Sequence, residues 1–255
     1  MGQERNGGSA APTLSTVPAI GSTAPTPSTL VDPNRFDDPA APLVTYYNDH
    51  TGERTELSAR TLDNWVAKTA SFGADLLDLQ PGATVRLGLS RHWLGVVWVL
   101  AALRAGWRLL DSGPADVVVL DEATVAAGAD TDGQLVCVST RPLARSFGVA
   151  LPPRAEDYAA EISGCADVFH PAPAHSTAEA ELSGLLDQAR VRADELCLGS
   201  PGDRLLIATD AVGGARTLLL GALLACASLV LVDGLDDARL DEVAATEKVT
   251  HRVDR

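Results

Sequence analysis

Apolar and polar positions follow two different periods along this chain, and their order predicts an α/β fold. From Leu62 to Leu79, apolar side chains recur at helical spacing until the Pro-Gly pair at 81–82. Residues 84–90 alternate as a strand, and residues 92–106 are apolar nearly all round, which is typical of a buried helix. Three further short apolar runs predict strands at 107–113, 116–121 and 134–139.

The segment that precedes the first helix predicts a strand, a turn and a second element. "LVTYYND" at 43–49 predicts a strand, and "HTGER" is typical of a turn. "TELS" at 55–58 predicts a second short strand or the first residues of the helix. Ser58 is expected to cap that helix, because a serine hydroxyl accepts from free backbone N–H groups.

The order helix, Pro-Gly turn, strand, buried helix, strand occurs twice, at an offset of 120 residues without gaps. Continuous apolar strands that alternate with helices favour parallel sheets covered on both faces. The pattern therefore predicts two related parallel-sheet half-domains, at about 58–140 and 178–255. A chance match between two ordinary βαβ units is the alternative. The aligned pairs include Leu62 with Leu182, Val66 with Leu186, Leu76 with Leu196, Pro81-Gly82 with Pro201-Gly202, and Val85 with Leu205.

Residues 1–38 lack this apolar pattern. They are rich in Gly, Ser, Thr, Pro and Ala and carry few large apolar groups. Such a segment cannot bury enough surface to offset the entropy lost on ordering. We expect a disordered tail over 1–38 and a folded domain over 39–255.

The net charge of the chain disfavours two classes of partner. The 255 residues carry a formal net charge of −14, with 34 acidic and 20 basic side chains. Binding to nucleic acid or to an anionic membrane needs basic clusters, so we expect neither partner. The two longest apolar runs, at 93–103 and 218–232, are too short to span a bilayer, which takes roughly 17 to 25 residues.

The four cysteines are scattered and show no metal-binding spacing. Cys137 and Cys226 lie in apolar runs, so we expect both to be buried free thiols. The N-terminus has no basic start followed by an apolar stretch, so no secretory signal is expected. These features favour a reducing cytoplasm.

Three segments resemble the opening of the adenylate-forming (AMP-binding) enzymes, a family that includes acyl-CoA synthetases and peptide-synthetase adenylation domains. They are "TELS", "LDLQPGATVRL" and "ALRAGWRLLD". A later segment, "LGSPGDRLLIATDAVGGARTLLLGALLACASLVLVDG", is similar to the part that follows that family's phosphate loop. The likeness covers about residues 40–255. It implies the fold of the family's N-terminal domain, in a short subfamily that retains only this front portion.

This chain departs from the family in the motifs that carry the family's chemistry. The resemblance places the family's Thr/Ser/Gly-rich phosphate loop, which ends in a lysine, between Leu151 and Leu182. That interval holds one glycine, Gly164, and no lysine. The family's adenine and ribose motifs and its catalytic-lysine lid would lie beyond Arg255. Where the family often carries an aromatic-His pair, this chain has Asp210, Ala211 and Val212. We therefore expect no catalytic, cofactor-binding or metal-binding residue and no cofactor.

Two other turns contain weaker candidates for functional residues. Gly213 and Gly214 with Arg216 could hold an anion at a helix N-terminus, but a lone Gly-Gly pair favours a tight strand-to-helix turn capped by Thr209 or Asp210. His92 is expected to be a capping or solvated side chain rather than a base. The acidic run at 233–242 lacks a calcium-loop pattern and is read as a helix cap.

The expected function is that of a non-catalytic relative of adenylate-forming enzymes, with an interaction or regulatory role as a homo-oligomer or with a protein partner. The alternative is a nucleotide- or CoA-ligand-binding protein, or an enzyme with a rebuilt pocket.

Overall fold

The computed structural model describes residues 25–89, 91–128, 133–142, 145–172, 176–208 and 215–254. Within these residues the strands are β1 (Pro42–Asn48), β2 (Glu53–Ser58), β3 (Thr84–Gly88), β4 (Arg108–Leu110), β5 (Val117–Asp121), β6 (Gln134–Val138), β7 (Glu156–Asp157), β8 (Arg204–Ile207), β9 (Ser228–Asp233) and β10 (His251–Val253). The helices are α1 (Ala59–Ser71), α2 (Trp93–Ala105), α3 (Glu122–Ala126), α4 (Tyr158–Glu161), α5 (Ser176–Glu195), α6 (Arg216–Leu224) and α7 (Asp237–Thr246).

The strands form two five-stranded sheets. One, the parallel sheet, has the order β4-β3-β5-β6-β7, and all its neighbours run parallel. The other, the mixed sheet, has the order β10-β8-β9-β1-β2, with β2 antiparallel at its edge. The α/β class is confirmed, and the antiparallel β1–β2 hairpin follows the strand-turn-strand pattern of residues 43–58.

The core lies between the two sheets. One cluster of buried side chains joins the inner faces of both sheets to α1, α2, α5 and α6. On the outer face of the mixed sheet, Leu240 and Val243 of α7 pack over Leu206 and Val230. A third cluster, which includes Phe147, covers the outer face of the parallel sheet. Both sheets are therefore covered on both faces, as expected for strands with continuous apolar runs.

The internal repeat is present in the backbone pairing. In the parallel sheet, Thr84 pairs with Arg108. In the mixed sheet, Arg204 pairs with Ser228, and these two residues lie 120 positions after Thr84 and Arg108 respectively. The backbone hydrogen bond to the residue just before Thr84 or Arg204 is also repeated. Arg108 N donates to Ala83 O at 2.8 Å, and Ser228 N donates to Asp203 O at 2.9 Å. The two helix-strand-helix-strand units thus have the same element order and the same strand register, as the offset predicts.

The prediction that Cys226 is buried is wrong, and the repeat explains why. This residue is exposed, not buried as its apolar neighbours suggested, whereas Cys137 is buried as expected. Cys226 follows α6 with a φ of 58°, and its counterpart Gly106 follows α2 with a φ of 74°. Both end their helices in the left-handed conformation that a C-terminal turn requires, and this turns the cysteine side chain toward solvent.

The predicted tail is wrong for residues 25–38. Leu30 and Val31 are each 1% exposed and belong to the main core, between short 3₁₀ turns at Pro27–Thr29 and Pro33–Arg35. The Arg35 guanidinium donates to the Leu223 and Leu224 carbonyl oxygens at 3.2 and 3.1 Å and so satisfies the C-terminus of α6. The packed chain therefore starts before residue 39. Residues 1–24 lie outside the described residues.

One end of α1 follows the prediction from the sequence and the other does not. The Ser58 hydroxyl accepts from Thr61 N at 3.2 Å, which confirms the predicted cap of α1. The helix expected to run to Leu79 leaves α geometry after Ser71 and continues as a π-helical turn, Phe72–Leu76. Gly73 lies in this turn against the buried Trp107 ring, where a Cβ would meet the ring at 2.1 Å. Among the described helices, none is long and apolar enough to cross a membrane.

Candidate ligand-binding cleft

A cleft opens at the carboxyl end of the parallel sheet, beside the edge of the mixed sheet. From β3 the chain crosses to β4 on one side and then returns to β5 on the other, so the strand order reverses between β3 and β5. In open α/β sheets, ligands bind beside such a reversal at the carboxyl ends of the strands. The cleft has a volume of about 590 Å³. Its side chains come from β2, α1, α2, α4 and the segment that follows β6.

Aromatic and aliphatic side chains form the walls of the cleft. Trp65 of α1 and Trp93 of α2 meet edge to face, with ring centroids 5.3 Å apart and planes at 72°. We call this pair the aromatic corner. Tyr158 lies nearby on α4, and its hydroxyl is fixed at 2.7 Å from the Thr69 hydroxyl. The aliphatic part of the lining is Leu57, Leu94 and Ile162.

A carboxylate and an imidazole form the floor of the cleft. The Glu53 and His92 side chains are only 8% and 5% exposed, and Glu53 Oε2 lies 3.7 Å from His92 Nε2. That distance is too long for a hydrogen bond. Neither atom has another partner in the part of the chain that the structure describes. The other carboxylate oxygen, Oε1, accepts from the Thr55 hydroxyl at 2.7 Å and from Trp93 Nε1 at 3.4 Å.

The helix cap fixes the orientation of the His92 ring. Its Nδ1 accepts from Leu94 N at 3.2 Å, which caps α2. The other ring nitrogen, Nε2, is thereby directed toward Glu53. His92 is therefore the capping side chain that the sequence suggested, but it is buried rather than solvated.

Glu53 is held in its charged form. Burial raises the pKa of its carboxyl, but the neighbouring His92 and the donors on Thr55 and Trp93 outweigh it, and the net pKa is lowered from 4.5. The cleft therefore contains a buried negative charge at neutral pH.

Two arginines at the mouth are already engaged. Arg54 lies over the Tyr47 ring on the outer face of the mixed sheet and pairs with Glu56 at 2.6 Å and Glu247 at 2.9 Å. Arg141 is 57% exposed and lies 3.5 Å from Glu122. Its guanidinium also donates to the Ser146 carbonyl oxygen at 3.3 Å.

Part of the interval where the resemblance places the phosphate loop is packed against the core. Tyr158 and Ile162 are buried, and the Lys68 ammonium of α1 donates to the Cys165 carbonyl oxygen at 2.8 Å and pairs with Asp167 at 2.6 Å. Lys68 thus fixes this segment to α1. Residues 173–175 lie outside the described residues.

The other candidates from the sequence lie apart from the cleft. Gly213, Gly214 and residues 209–212 fall outside the described residues, so the proposed anion turn is not placed. Arg216, the first residue of α6, pairs with Asp111 at 2.7 Å. Asp236 caps α7 through Arg239 N, as the acidic run suggested. Within the described ranges, no three side chains converge in a way that could hold a metal ion.

Sequence comparison then places the chain among known proteins. No family model matches it. A protein of Mycobacterium tuberculosis described as a TIGR03089 family protein is 36% identical over 245 residues, which are 88% of this chain and 98% of that protein. This chain belongs to the TIGR03089 family.

Two solved CoA synthetase structures share the fold of this chain. An acyl-CoA synthetase of Brucella canis superposes with a TM-score of 0.72 at 16% identity, over 90% of this chain and 47% of that enzyme. An acetoacetyl-CoA synthetase of Streptomyces lividans gives a TM-score of 0.67 at 18% identity, over 89% and 41%. The TIGR03089 chain thus spans less than half of either enzyme. The predicted resemblance and fold are confirmed.

Proposed function

We propose that this TIGR03089 protein forms no acyl adenylates and has an interaction or regulatory role. The interval between Leu151 and Leu182 carries the proposal. Adenylation needs several N–H donors and a fixed cation that converge on a triphosphate. This interval has one glycine and no lysine, and the nearby Lys68 ammonium is bound to Cys165 and Asp167.

The charge of the protein supports the same proposal. A net charge of −14 opposes the approach of a triphosphate, and the arginines at the cleft mouth are paired with glutamates. All four cysteines are free, which fits a cytoplasmic protein.

Calorimetric titration with Mg-ATP tests the proposal. We expect a dissociation constant weaker than roughly 1 mM, about −4 kcal/mol. Micromolar binding of Mg-ATP would contradict it. The anion turn at 209–216 is the first place to look in that case, because it would have to supply the donors.

A second candidate, binding of a small ligand in a rebuilt pocket, is favoured by the cleft. Its volume of about 590 Å³ falls in the range of ligand pockets, roughly 300 to 1,000 Å³. It also combines apolar walls with a few placed polar groups. A regulatory role and ligand binding are compatible, because a bound ligand can bias an interaction.

We also propose a second copy or a protein partner. The strand β10 forms an edge of the mixed sheet, and no described strand lies on its far side. Unpaired strand edges are templates for pairing with another chain. Light scattering at about 100 µM, which detects self-association stronger than about −5.5 kcal/mol, should report a mass above that of the monomer. A monomer at that concentration would contradict self-association.

A further inference from the structure

The cleft has the features of a site for an organic cation. Quaternary ammonium groups bind at aromatic faces, because the ring quadrupole attracts the cation and the methyl groups keep apolar contact. The aromatic corner of Trp65 and Trp93 supplies two rings at 72° to each other, and the buried carboxylate of Glu53 lies beside it, bound to Trp93 Nε1. We propose that the cleft binds a methylated or quaternary ammonium compound at the aromatic corner, above Glu53.

The charge of the floor favours a cation over an anion. Glu53 Oε2 has no hydrogen-bond donor among the described residues, and its nearest candidate, His92 Nε2, stays at 3.7 Å. The other oxygen, Oε1, is held by Thr55 and Trp93, so Oε2 is the acceptor of this carboxylate that has no donor there. A cation above the negative carboxylate gains electrostatic attraction that a neutral or anionic ligand does not.

A bulky methylated cation suits this floor better than a small primary ammonium. Glu53 Oε2 is buried beneath the surface, so a ligand cannot form a short hydrogen bond with it without rearrangement. A trimethylammonium group needs no such bond, because it attracts a carboxylate at longer range through a low-dielectric wall. The aliphatic side chains Leu57, Leu94 and Ile162 remain for the rest of the ligand.

The arginines at the mouth do not reverse this preference. Arg54 is directed to Glu56, Glu247 and the Tyr47 ring, on the outer face of the mixed sheet. Arg141 is more than half exposed and has Glu122 beside it, so solvent and that carboxylate screen its charge.

Three compounds of nearly the same shape test the charge preference. Choline is the cation, 3,3-dimethylbutan-1-ol is its neutral isostere, and 3,3-dimethylbutanoate is the anion. Titrations of the full chain, followed by calorimetry and tryptophan fluorescence, should give choline an affinity at least about tenfold above that of the alcohol. The anion should bind more weakly than either. Equal affinity of the cation and the alcohol, or tightest binding of the anion, would overturn the proposal.

Variants assign the effect to the site. Glu53→Gln should reduce the ratio between choline and the alcohol to about threefold or less, and Trp65→Leu should weaken choline by about fivefold or more. Glu195→Gln is the matched control, because Glu195 is an exposed carboxylate at the end of α5, outside the cleft lining, and should leave the ratio unchanged. If Trp65→Leu fails to fold, the affinity ratio measured for Glu53→Gln tests the proposal by itself. An unchanged ratio in Glu53→Gln would overturn the proposal.

This inference rests on the cleft as a ligand site, which is the second candidate function. If none of the three compounds binds, the organic-cation proposal is overturned, whereas the second candidate function is overturned only if nucleotides and CoA compounds also fail to bind. The proposal that the protein forms no adenylates is independent of this result, because it is tested by ATP binding and not by these compounds.

Discussion

Replacing Gly221 with valine is expected to destabilise the protein by about 3 kcal/mol, at the upper end of the range for overpacked cores. Gly221 lies in α6 where that helix crosses α5. A Cβ at this position would lie 2.6 Å from the Ala189 carbonyl oxygen and 3.2 Å from the Ala193 nitrogen. Both are backbone atoms of a helix, so relief requires the two helices to separate. Urea denaturation of the variant measures the loss.

Gly184→Val is the matched control for this prediction. Gly184 lies on α5, where a Cβ would have nothing within 4 Å. Valine is a slightly better helix former than glycine, so this variant should be within about 0.5 kcal/mol of the parent protein. If the two variants are equally stable, the close contact between α5 and α6 is not as described.

Replacing Glu247 with glutamine is expected to cost about 3 kcal/mol, because it breaks a buried ion pair and leaves a cation uncompensated. Glu247 ends α7, is 8% exposed, and pairs with Arg204 at 2.6 Å, which is itself 12% exposed. It also accepts from the Tyr47 hydroxyl and from Arg54. Glu242→Gln is the control. Glu242 is an exposed partner of Arg239 on the same helix, and its loss should cost less than about 0.5 kcal/mol.

The Glu247 prediction also has a pH signature. Burial raises the pKa of Glu247, but the donors on Tyr47, Arg54 and Arg204 outweigh it and lower the pKa below its ordinary 4.5. A lowered folded-state pKa means that the stabilisation is complete above 4.5 and is lost as the pH falls through the folded value. The difference between the parent protein and Glu247→Gln should therefore shrink in acid. A constant difference from pH 7 down to about 3 would contradict the assigned role.

Much of the fold could be predicted from the sequence because the two half-domains repeat the same apolar pattern. Strand register depends on which positions face the core, so matched patterns at one offset gave matched registers, as at Thr84 and Arg204. The N-terminal boundary was wrong for a related reason. Average composition describes a long segment, and two buried residues, Leu30 and Val31, are too few to change it.

The cleft could not be predicted in the same way. Glu53 and His92 lie 39 positions apart, on an edge strand of one sheet and on the turn after a strand of the other. Only the packing of the two sheets around α1 and α2 brings them together. Trp65 and Trp93 looked like ordinary helix positions, because periodicity identifies a buried face without showing which neighbours share it.

Carboxylate-dependent exchange of labelled pyrophosphate into ATP tests the absence of adenylate formation most directly. The full chain should be assayed with Mg-ATP over a panel of fatty, aryl and amino acids, beside an acyl-CoA synthetase of the same fold as the positive control. We predict no exchange above the background without acid, because no fixed lysine or glycine-rich turn is present between Leu151 and Leu182 to hold the triphosphate. Exchange that depends on one of these acids, together with micromolar binding of ATP, would contradict that conclusion.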